Sequence, residues 1–244
     1  MARRLLAFIP HPDDEAYSFG GTIALAAKAG WACRVVCASA GEGGERHDGG
    51  APGAAALAEA RERELAESCR VLGAEPPVCW RLPDGGFANV ADGPARVTRE
   101  IVDFGPDVVV ALGADGAYGH PDHLAVYRWV LEAWQGLREP RPALRFAAFP
   151  RGLFLPQYRK CIGMMGDPPQ PSASAIGVTR WDEEVDIRAV AATKLAAIAA
   201  HRTQLPGGDP RAIFPPGIVD RLLEREGFTD AGGNGANGLF AALR

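Results

Sequence analysis

Short apolar runs alternate with longer segments of helical character through the first 150 residues of the chain. Five runs have the length and composition of buried strands, and they span residues 4–9, 33–39, 78–82, 106–113 and 144–149. The segments between them predict helices at 20–30, 54–74, 95–105 and 121–137. Strands that alternate with helices of this length form β-α-β units. The pattern therefore predicts an α/β fold whose parallel sheet is covered by helices on both faces.

The pattern is looser after the fifth predicted strand. Segment 164–177 is rich in proline and serine and is predicted to be a loop. Residues 178–187 alternate well enough for another strand, and residues 188–205 have the apolar spacing of a helix. A glycine-rich stretch at 231–238 predicts a flexible link. Because no repeat or clear boundary interrupts the sequence, we expect a single domain over residues 1–244.

Composition and charge exclude several classes of partner. The chain is 47% hydrophobic and 23% charged, which is ordinary for a globular protein. Its net charge of −4 lacks the basic footprint of proteins that bind nucleic acid or anionic membranes. No apolar run approaches the roughly 18 residues of a membrane-spanning helix. Five cysteines without a CxxC pair are typical of reduced thiols. We expect a cytoplasmic protein without a nucleic-acid or membrane partner; a homo-oligomer is compatible with this sequence.

Titratable side chains follow two of the predicted strands. The sequence HPDDE at residues 11–15 comes directly after the first strand, and GHPDH at 119–123 comes after the fourth. The loops GEGGE at 41–45 and PDGG at 83–86 follow the second and third strands. Ligands of parallel sheets bind outside the carboxyl ends of the strands. The polar chemistry of four loops is therefore predicted to meet at one edge of the sheet.

The two histidine motifs contain the ligands of a catalytic metal site. His11 and Asp14 are three residues apart and could reach one ion from a tight turn, and His123 supplies a third ligand. Two histidines and one carboxylate with open positions suit zinc and also non-haem Fe(II), so the residues leave Zn²⁺, Fe²⁺ and other divalent metals open. Asp13 points away from its neighbour and could act as a general base on a metal-activated water.

Three further side chains beside His123 are candidate catalytic groups. His120 could be protonated, stabilise an oxyanion or donate a proton to a leaving amine. Asp122 could hold that imidazole in its charged form, and Tyr118 could donate another hydrogen bond. Taken singly, each motif also fits a purely structural explanation: the aspartates could cap helices, and the proline could occupy the first turn of a helix. Both motifs at one sheet edge favour the functional interpretation.

Other polar residues have competing interpretations. His47 lies in a glycine-rich loop and is predicted to be solvated. His201 lies on a mostly apolar helix and fits a core position as well as an active-site position. Arg61 and Glu64 could form only an intrahelical ion pair.

The motifs together resemble a known family. PHPDDE, RERE at 61–64, YGHPDH and KLAAIAAHRTQ at 194–204 are similar, in this order, to the PIG-L/LmbE-like metal-dependent de-N-acetylases, which include deacetylases of the mycothiol and bacillithiol pathways. The resemblance covers roughly residues 3 to 205. It implies a Rossmann-like three-layer sandwich with a mostly parallel sheet.

The resemblance also implies roles for individual residues. It implies a zinc ion held by His11, Asp14 and His123, with Asp13 as general base. It further implies His120 as the acid or oxyanion partner, Tyr118 as a group that polarises the carbonyl, and Arg61 as a contact to the sugar or its substituent. The implied substrate is a small acetylated amino sugar of the N-acetylglucosaminide type that loses acetate. The loops at 41–53 and 164–175 are the expected determinants of substrate.

Three other functions stay open at this level. A metal-dependent amidase could cut a different amide, such as a thiol conjugate, with the same groups. A non-haem iron oxygenase could use the same ligands, but the pair Asp13 and His120 favours hydrolysis because oxygen activation mainly needs open positions. A non-catalytic sugar-binding module would not need ligands, base and acid together.

Overall fold

The computed structural model describes residues 2–167, 169–232 and 238–243. Within these residues seven strands form one sheet, and they are β1 (Arg4–Ile9), β2 (Ala32–Ser39), β3 (Val78–Leu82), β4 (Val108–Leu112), β5 (Ala143–Ala148), β6 (Glu183–Asp186) and β7 (Arg225–Asp230). Their order across the sheet is β3-β2-β1-β4-β5-β7-β6. Strands β1 to β5 pair in parallel, whereas β7 runs antiparallel to β5 and β6. The predicted α/β fold with a mostly parallel sheet is confirmed.

Helices cover both faces of this sheet. The α-helices of the described residues are α1 (Asp14–Lys28), α2 (Ala54–Leu72), α3 (Gly93–Phe104), α4 (Gly116–Gly119), α5 (Pro121–Gly136), α6 (Leu155–Cys161), α7 (Ala191–Ala200) and α8 (Ile218–Leu222). Side chains of α1, α2, α7 and α8 belong to one buried apolar cluster, and side chains of α3 and α5 belong to another. The four helices predicted between the first five strands are α1, α2, α3 and α5.

Strand β1 shows why the sheet needs helices on both sides. Leu5, Ala7 and Ile9 belong to the first apolar cluster, whereas Leu6 and Phe8 belong to the second. Successive side chains of a strand point to opposite faces, so a continuous apolar run produces a strand that is buried on both faces. The sheet is therefore the middle of three layers, as the sequence resemblance implies.

Several predicted segments differ in extent. The helix predicted from residue 20 begins already at Asp14 and contains a non-helical residue, Phe19, just before two glycines. The helix predicted over 188–205 is an α-helix only over α7, with a 3₁₀ turn on each side. The strand predicted over 178–187 is shortened to β6.

The C-terminal part of the chain differs most from the sequence-based prediction. The alternation of apolar and polar residues did not predict β7, because its sequence REGFTD is short and mostly polar. Burial of Phe228 and Glu226 follows from the position of β7 between two other strands. Of the predicted flexible link at 231–238, residues 233–237 lie outside the described residues.

A buried ion pair joins β7 to the helical layer. Nζ of Lys194 on α7 lies 2.6 Å from Oε1 of Glu226, and both side chains are almost completely buried. The same carboxylate accepts hydrogen bonds from the backbone N–H groups of Gly21 (2.8 Å) and Thr22 (2.7 Å) on α1. These two N–H groups directly follow the non-helical residue Phe19, and the Glu226 carboxylate is their hydrogen-bond acceptor. Glu226 therefore allows α1 to continue through the kink.

Two further expectations concern the thiols and the membrane. All five cysteines are free thiols. None of the helices in the described ranges is long and apolar enough to cross a bilayer.

Candidate active site

The loop between β1 and α1 brings the first motif to the edge of the sheet. The backbone N–H of His11 donates to Oδ2 of Asp14 at 3.1 Å, which closes a tight turn. Asp13 has φ 119° and ψ −28°, a left-handed conformation that non-glycine residues rarely adopt. This conformation separates two neighbouring carboxylates. Asp14 faces two histidines, whereas Asp13 faces an arginine.

His11, Asp14 and His123 converge as predicted. Oδ2 of Asp14 lies 3.5 Å from Nδ1 of His11 and 3.5 Å from Nε2 of His123. All three residues are buried. Two ligands of a tetrahedral zinc ion, each about 2.0–2.1 Å from the metal, lie about 3.4 Å apart. The spacing of these ligand atoms fits a metal ion of that size.

The hydrogen bonds of His11 and His123 leave one nitrogen atom of each imidazole available to bind a metal. Nδ1 of His123 lies 3.0 Å from the carbonyl oxygen of Gly116, so Nδ1 carries the proton. Its Nε2 is buried and has no hydrogen-bond partner among the described residues. Nε2 of His11 lies 3.1 Å from Oδ1 of Asp84 and 3.4 Å from Oδ2 of Asp122, which leaves Nδ1 for a metal. Outer carboxylates and carbonyls fix metal-binding histidines in this way.

His120 joins the two histidines to form a cluster of three imidazoles. One ligand nitrogen from each of His11, His120 and His123 lies within 4.8 Å of the others. Nδ1 of His120 accepts a hydrogen bond from the backbone N–H of Asp122 at 3.2 Å and so caps α5. Burial, together with the neighbouring His123 and His11, lowers the pKa of His120 to about 3. His120 is therefore a neutral imidazole whose Nε2–H can donate a hydrogen bond.

The expected pairing of the Asp122 side chain with His120 is wrong. The Asp122 carboxylate contacts His11 instead, and it accepts hydrogen bonds from the backbone N–H groups of Gly85 (2.7 Å) and Phe87 (3.2 Å). Asp122 thus orients His11 and the loop after β3. Only its backbone N–H contacts His120.

Asp13 is placed as a group that can exchange a proton near neutral pH. Its Oδ2 lies 3.1 Å from Nη2 of Arg61. Burial raises the pKa of Asp13 to about 7, although the charge of Arg61 opposes that rise. A general base works best when its pKa is near the operating pH.

Arg61 supports this loop rather than pairing with Glu64. It is buried and also donates hydrogen bonds to the carbonyl oxygens of Gly41 and Pro12. Glu64 accepts two hydrogen bonds from Thr203, at 2.8 Å from its N–H and 2.7 Å from its hydroxyl. Arg61 therefore links the loops after β1 and β2.

Tyr118 lies against the imidazole cluster. Its ring is 5.1 Å from that of His123 and 6.2 Å from that of His120, in edge-on arrangements. Burial raises the pKa of Tyr118 well above its ordinary value of 10. Its hydroxyl therefore stays protonated and able to donate.

The structure also places groups at the site that the sequence reasoning did not assign. Asp84 lies in the PDGG loop, which was predicted to reach this edge, but its contact with His11 could not be deduced from the motif. Glu15 accepts hydrogen bonds from the Asp13 N–H, from Ser68 and from His201. The side chains of Glu15, Ser68 and His201 are all fully buried. The ambiguous His201 is thus connected to the site. His47, in contrast, is exposed as predicted.

The two loops that were expected to select the substrate both approach the site. His47 N donates to the carbonyl oxygen of Thr203 at 2.8 Å, which ties the loop after β2 to the segment after α7. Met165, in the segment predicted as a loop at 164–177, packs closely against Gly119. A Cβ atom added to Gly119 would lie only 3.0 Å from Cε of Met165. Gly119 directly precedes His120 in the chain.

Comparison with known proteins decides the family. The model of the family described as PIG-L, GlcNAc-PI de-N-acetylase, matches residues 6–134, which is more than half of the chain. The chain belongs to the PIG-L family. A relative from Acidothermus cellulolyticus, 1D-myo-inositol 2-acetamido-2-deoxy-alpha-D-glucopyranoside deacetylase, is 30% identical over 285 aligned positions, with 100% of this chain and 96% of the relative covered.

Solved structures give the same fold for this PIG-L family member. N,N'-diacetylchitobiose deacetylase from Pyrococcus horikoshii, in complex with its inhibitor, has a TM-score of 0.65 at 25% identity and covers 98% of this chain and 86% of its own. The 4-carboxy-2-hydroxymuconate hydratase GalB from Pseudomonas putida KT2440 has a TM-score of 0.67 at 20% identity, with 94% and 96% covered. Because a hydratase shares the fold, the reaction has to be argued from the site. The predicted family and the predicted class of enzyme, a deacetylase, are confirmed by the relatives.

Proposed function

We propose that this PIG-L family member is a zinc-dependent hydrolase that removes acetate from an N-acetylglucosaminide-type small molecule. The convergence of Nδ1 of His11, Oδ2 of Asp14 and Nε2 of His123 carries this proposal. The relative from Acidothermus cellulolyticus is named as a deacetylase of an acetylated glucosaminyl inositol, which supports the substrate class. Fe²⁺ or another divalent metal would suit the same ligands.

We assign His11, Asp14 and His123 as the residues that would hold the metal. A bound metal of this type polarises a carbonyl oxygen and lowers the pKa of a water molecule. The acyl-amide carbon is then attacked by water, and Asp13 accepts the proton that this water loses. Arg61 keeps the Asp13 carboxylate in place through the contact at 3.1 Å.

The second motif stabilises negative charge on the carbonyl oxygen. The neutral imidazole of His120 has its Nδ1 occupied by the Asp122 N–H, so its Nε2–H is the donor. Tyr118 packs edge-on against His120 and His123, and its hydroxyl would be a second donor. Such fixed donors act in a site with little water, where they stabilise an oxyanion strongly. Asp13 then returns its proton to the leaving amine.

The surroundings of the protein fit this chemistry. Five free thiols agree with a reducing compartment, and we place the protein in the cytoplasm. The loops around 41–53 and 164–175 contact the substituent of the sugar in this proposal, and they distinguish one glucosaminide from another.

The test is acetate release by protein that has been stripped of metal and reloaded. Zn²⁺, Fe²⁺ with and without oxygen, Mn²⁺ and Co²⁺ are compared on N-acetylglucosamine, an N-acetylglucosaminyl inositol and N,N'-diacetylchitobiose. We expect a metal to restore release, Asp13→Asn to lose about 10²–10⁴-fold of the rate, and Asp103→Asn to retain it. Asp103 is the matched control because it is exposed on α3.

Two results would contradict the proposal. No release from any sugar with metal bound would move the assignment to a different amide, such as a thiol conjugate. A need for O₂ together with Fe²⁺ would indicate an oxygenase instead.

A further inference from the structure

The backbone of Asp13 is held in its unusual conformation by Glu15, two residues further along the chain. Oε2 of Glu15 accepts a hydrogen bond from the Asp13 N–H at 3.0 Å. Asp13 has φ 119°, where a side chain on Cβ is strained. Such strain persists only when the surrounding structure fixes it, so the groups that hold Glu15 act together with Arg61 to set where the Asp13 carboxylate points.

Glu15 is itself held by α2 and by the residue that follows α7. Its Oε1 accepts from Oγ of Ser68 on α2 at 2.5 Å, and Nε2 of His201, just after α7, lies 2.7 Å away. The side chains of Glu15, Ser68 and His201 are all fully buried. The Glu15 carboxylate thus accepts three hydrogen bonds: one from the Asp13 backbone N–H and two from side chains in distant parts of the chain.

The direction of Asp13 matters because Asp14 is beside it. Asp14 faces His11 and His123, whereas Asp13 faces Arg61. If the Asp13 backbone relaxed, two adjacent carboxylates could compete for the same place beside the histidines. The left-handed residue therefore keeps the proposed ligand and the proposed base in separate roles.

We propose that Glu15, Ser68 and His201 form a positioning network for the general base: they hold the Asp13 backbone so that its carboxylate faces the attacking water beside Arg61. The inference rests on the proposed function, because it assumes that Asp13 acts as the base. The three residues do not touch the substrate in this proposal. They act through Asp13.

A structural role alone gives a different pattern of effects. Loss of a packing residue lowers the fraction of folded protein or its thermal midpoint, while kcat of the folded protein stays the same. Loss of a positioning residue lowers kcat and leaves KM and metal affinity unchanged, because substrate contacts and metal ligands remain. Conservative replacements separate the two cases, since they retain one hydrogen bond at little change in volume.

The experiment compares variants of the full chain, loaded with the metal that supports activity. Glu15→Gln removes one acceptor oxygen, His201→Leu and Ser68→Ala each remove one donor, and His201→Gln and Ser68→Thr keep a donor. Ile23→Val is the stability control, because it removes one methyl from a fully buried residue of α1 outside the network. We measure kcat, KM, metal affinity by chelator competition and the thermal midpoint.

We expect at least a tenfold loss of kcat in Glu15→Gln and His201→Leu, at unchanged KM and metal affinity. His201→Gln and Ser68→Thr should recover kcat to within about threefold of the wild type. Unchanged kcat in the folded fraction of Glu15→Gln and His201→Leu would overturn the proposal. Parallel changes in KM, metal affinity and thermal midpoint, as in a general loss of structure, would also overturn it.

A second measurement needs no turnover. Protein labelled with ¹⁵N-aspartate gives the exchange rate of the Asp13 amide hydrogen, with and without metal. We expect exchange to be at least tenfold faster in Glu15→Gln and His201→Leu than in the wild type and Ile23→Val. If the wild type releases no acetate from any sugar, the proposed function fails, and this rate still decides the network: unchanged exchange in both variants overturns it.

Discussion

Nε2 of His201 lies 2.7 Å from Oε1 of Glu15, and neither side chain is exposed to solvent. The two residues are 186 positions apart in the sequence. This contact connects the first turn of α1 with the segment after α7. The geometry of the candidate active site therefore depends on a part of the chain far from both histidine motifs.

The contact predicts a dependence of stability on pH. Burial alone would lower the pKa of His201, but the charge and hydrogen bond of Glu15 outweigh it, so the pKa is raised above its ordinary value of 6.5. A group whose pKa is higher in the folded state stabilises the protein fully below its unfolded pKa, and this stabilisation is lost as the pH rises through the folded pKa. Urea unfolding of wild type and His201→Gln from pH 6 to pH 10 should give a difference in free energy that is largest at the acidic end. A difference that grows with pH would contradict the assignment.

Two possible sets of metal ligands predict opposite effects of two substitutions. Asp14 lies between His11 and His123, whereas His120 forms a three-histidine group with the same two residues. We expect Asp14→Asn and His123→Ala to weaken metal binding by more than the roughly 10–100-fold that loss of a ligand's hydrogen-bond partner costs, and His120→Asn to change it only slightly. Chelator competition measures the affinity. Exposed His47→Ala is the control, and a stronger effect of His120→Asn than of Asp14→Asn would favour the three-histidine set.

Arg61 is expected to affect kcat more than KM. It is buried and contacts Asp13, Pro12 and Gly41, so it positions groups of this chain rather than presenting a free face to substrate. Lysine cannot reproduce the fixed fork of donors. Arg61→Lys should lower kcat by about tenfold or more, which corresponds to about 1.4 kcal/mol, with little change in KM. Exposed Arg63→Lys on the same helix is the control. A large rise in KM with kcat retained would instead support the substrate contact implied by the sequence.

The buried pair Lys194 and Glu226 should be sensitive to the loss of one partner. Lys194→Met leaves a carboxylate that is 4% exposed without its cation, and breaking a buried ion pair costs about 3–5 kcal/mol. The double variant Lys194→Met/Glu226→Gln should lose less, because Gln can still accept from the backbone of α1 and no charge remains. Urea unfolding measures each free energy. If the double variant lost as much as the sum of both single variants, the two residues would not be coupled.

The sequence could predict those parts of the site whose residues are close to one another along the chain. His11, Asp13 and Asp14 share one turn, and His120 to His123 lie together at the start of α5, directly after the short helix α4 that contains Tyr118. Apolar runs and helical spacing were enough for β1 to β5. Strands β1, β2, β4 and β5 are mostly buried apolar runs, and β3 is a short, half-buried strand that still alternates Val78, Trp80 and Leu82.

The contacts that could not be predicted join residues far apart. Asp84 approaches His11 from another loop, and His201 approaches Glu15 from beyond α7. Strand β7 has two charged ends and little alternation, so its place in the sheet depends on the edge that β5 offers. The side-chain partners of Asp122 likewise depend on the loop after β3, which no local pattern describes.

Strand β7 comes last among the strands of the described residues, yet it lies between β5 and β6. A ribosome that makes this chain delivers His11, Asp14 and His123 long before it delivers residues 225–230. Until then, β5 keeps an unpaired edge, which can associate with other strands, and α1 lacks the carboxylate that completes its kink. Contacts between such distant segments form slowly. The nascent chain therefore carries every proposed metal ligand while the scaffold that orients them is still incomplete. A metal ion that binds at this stage meets the ligands before they have their final geometry.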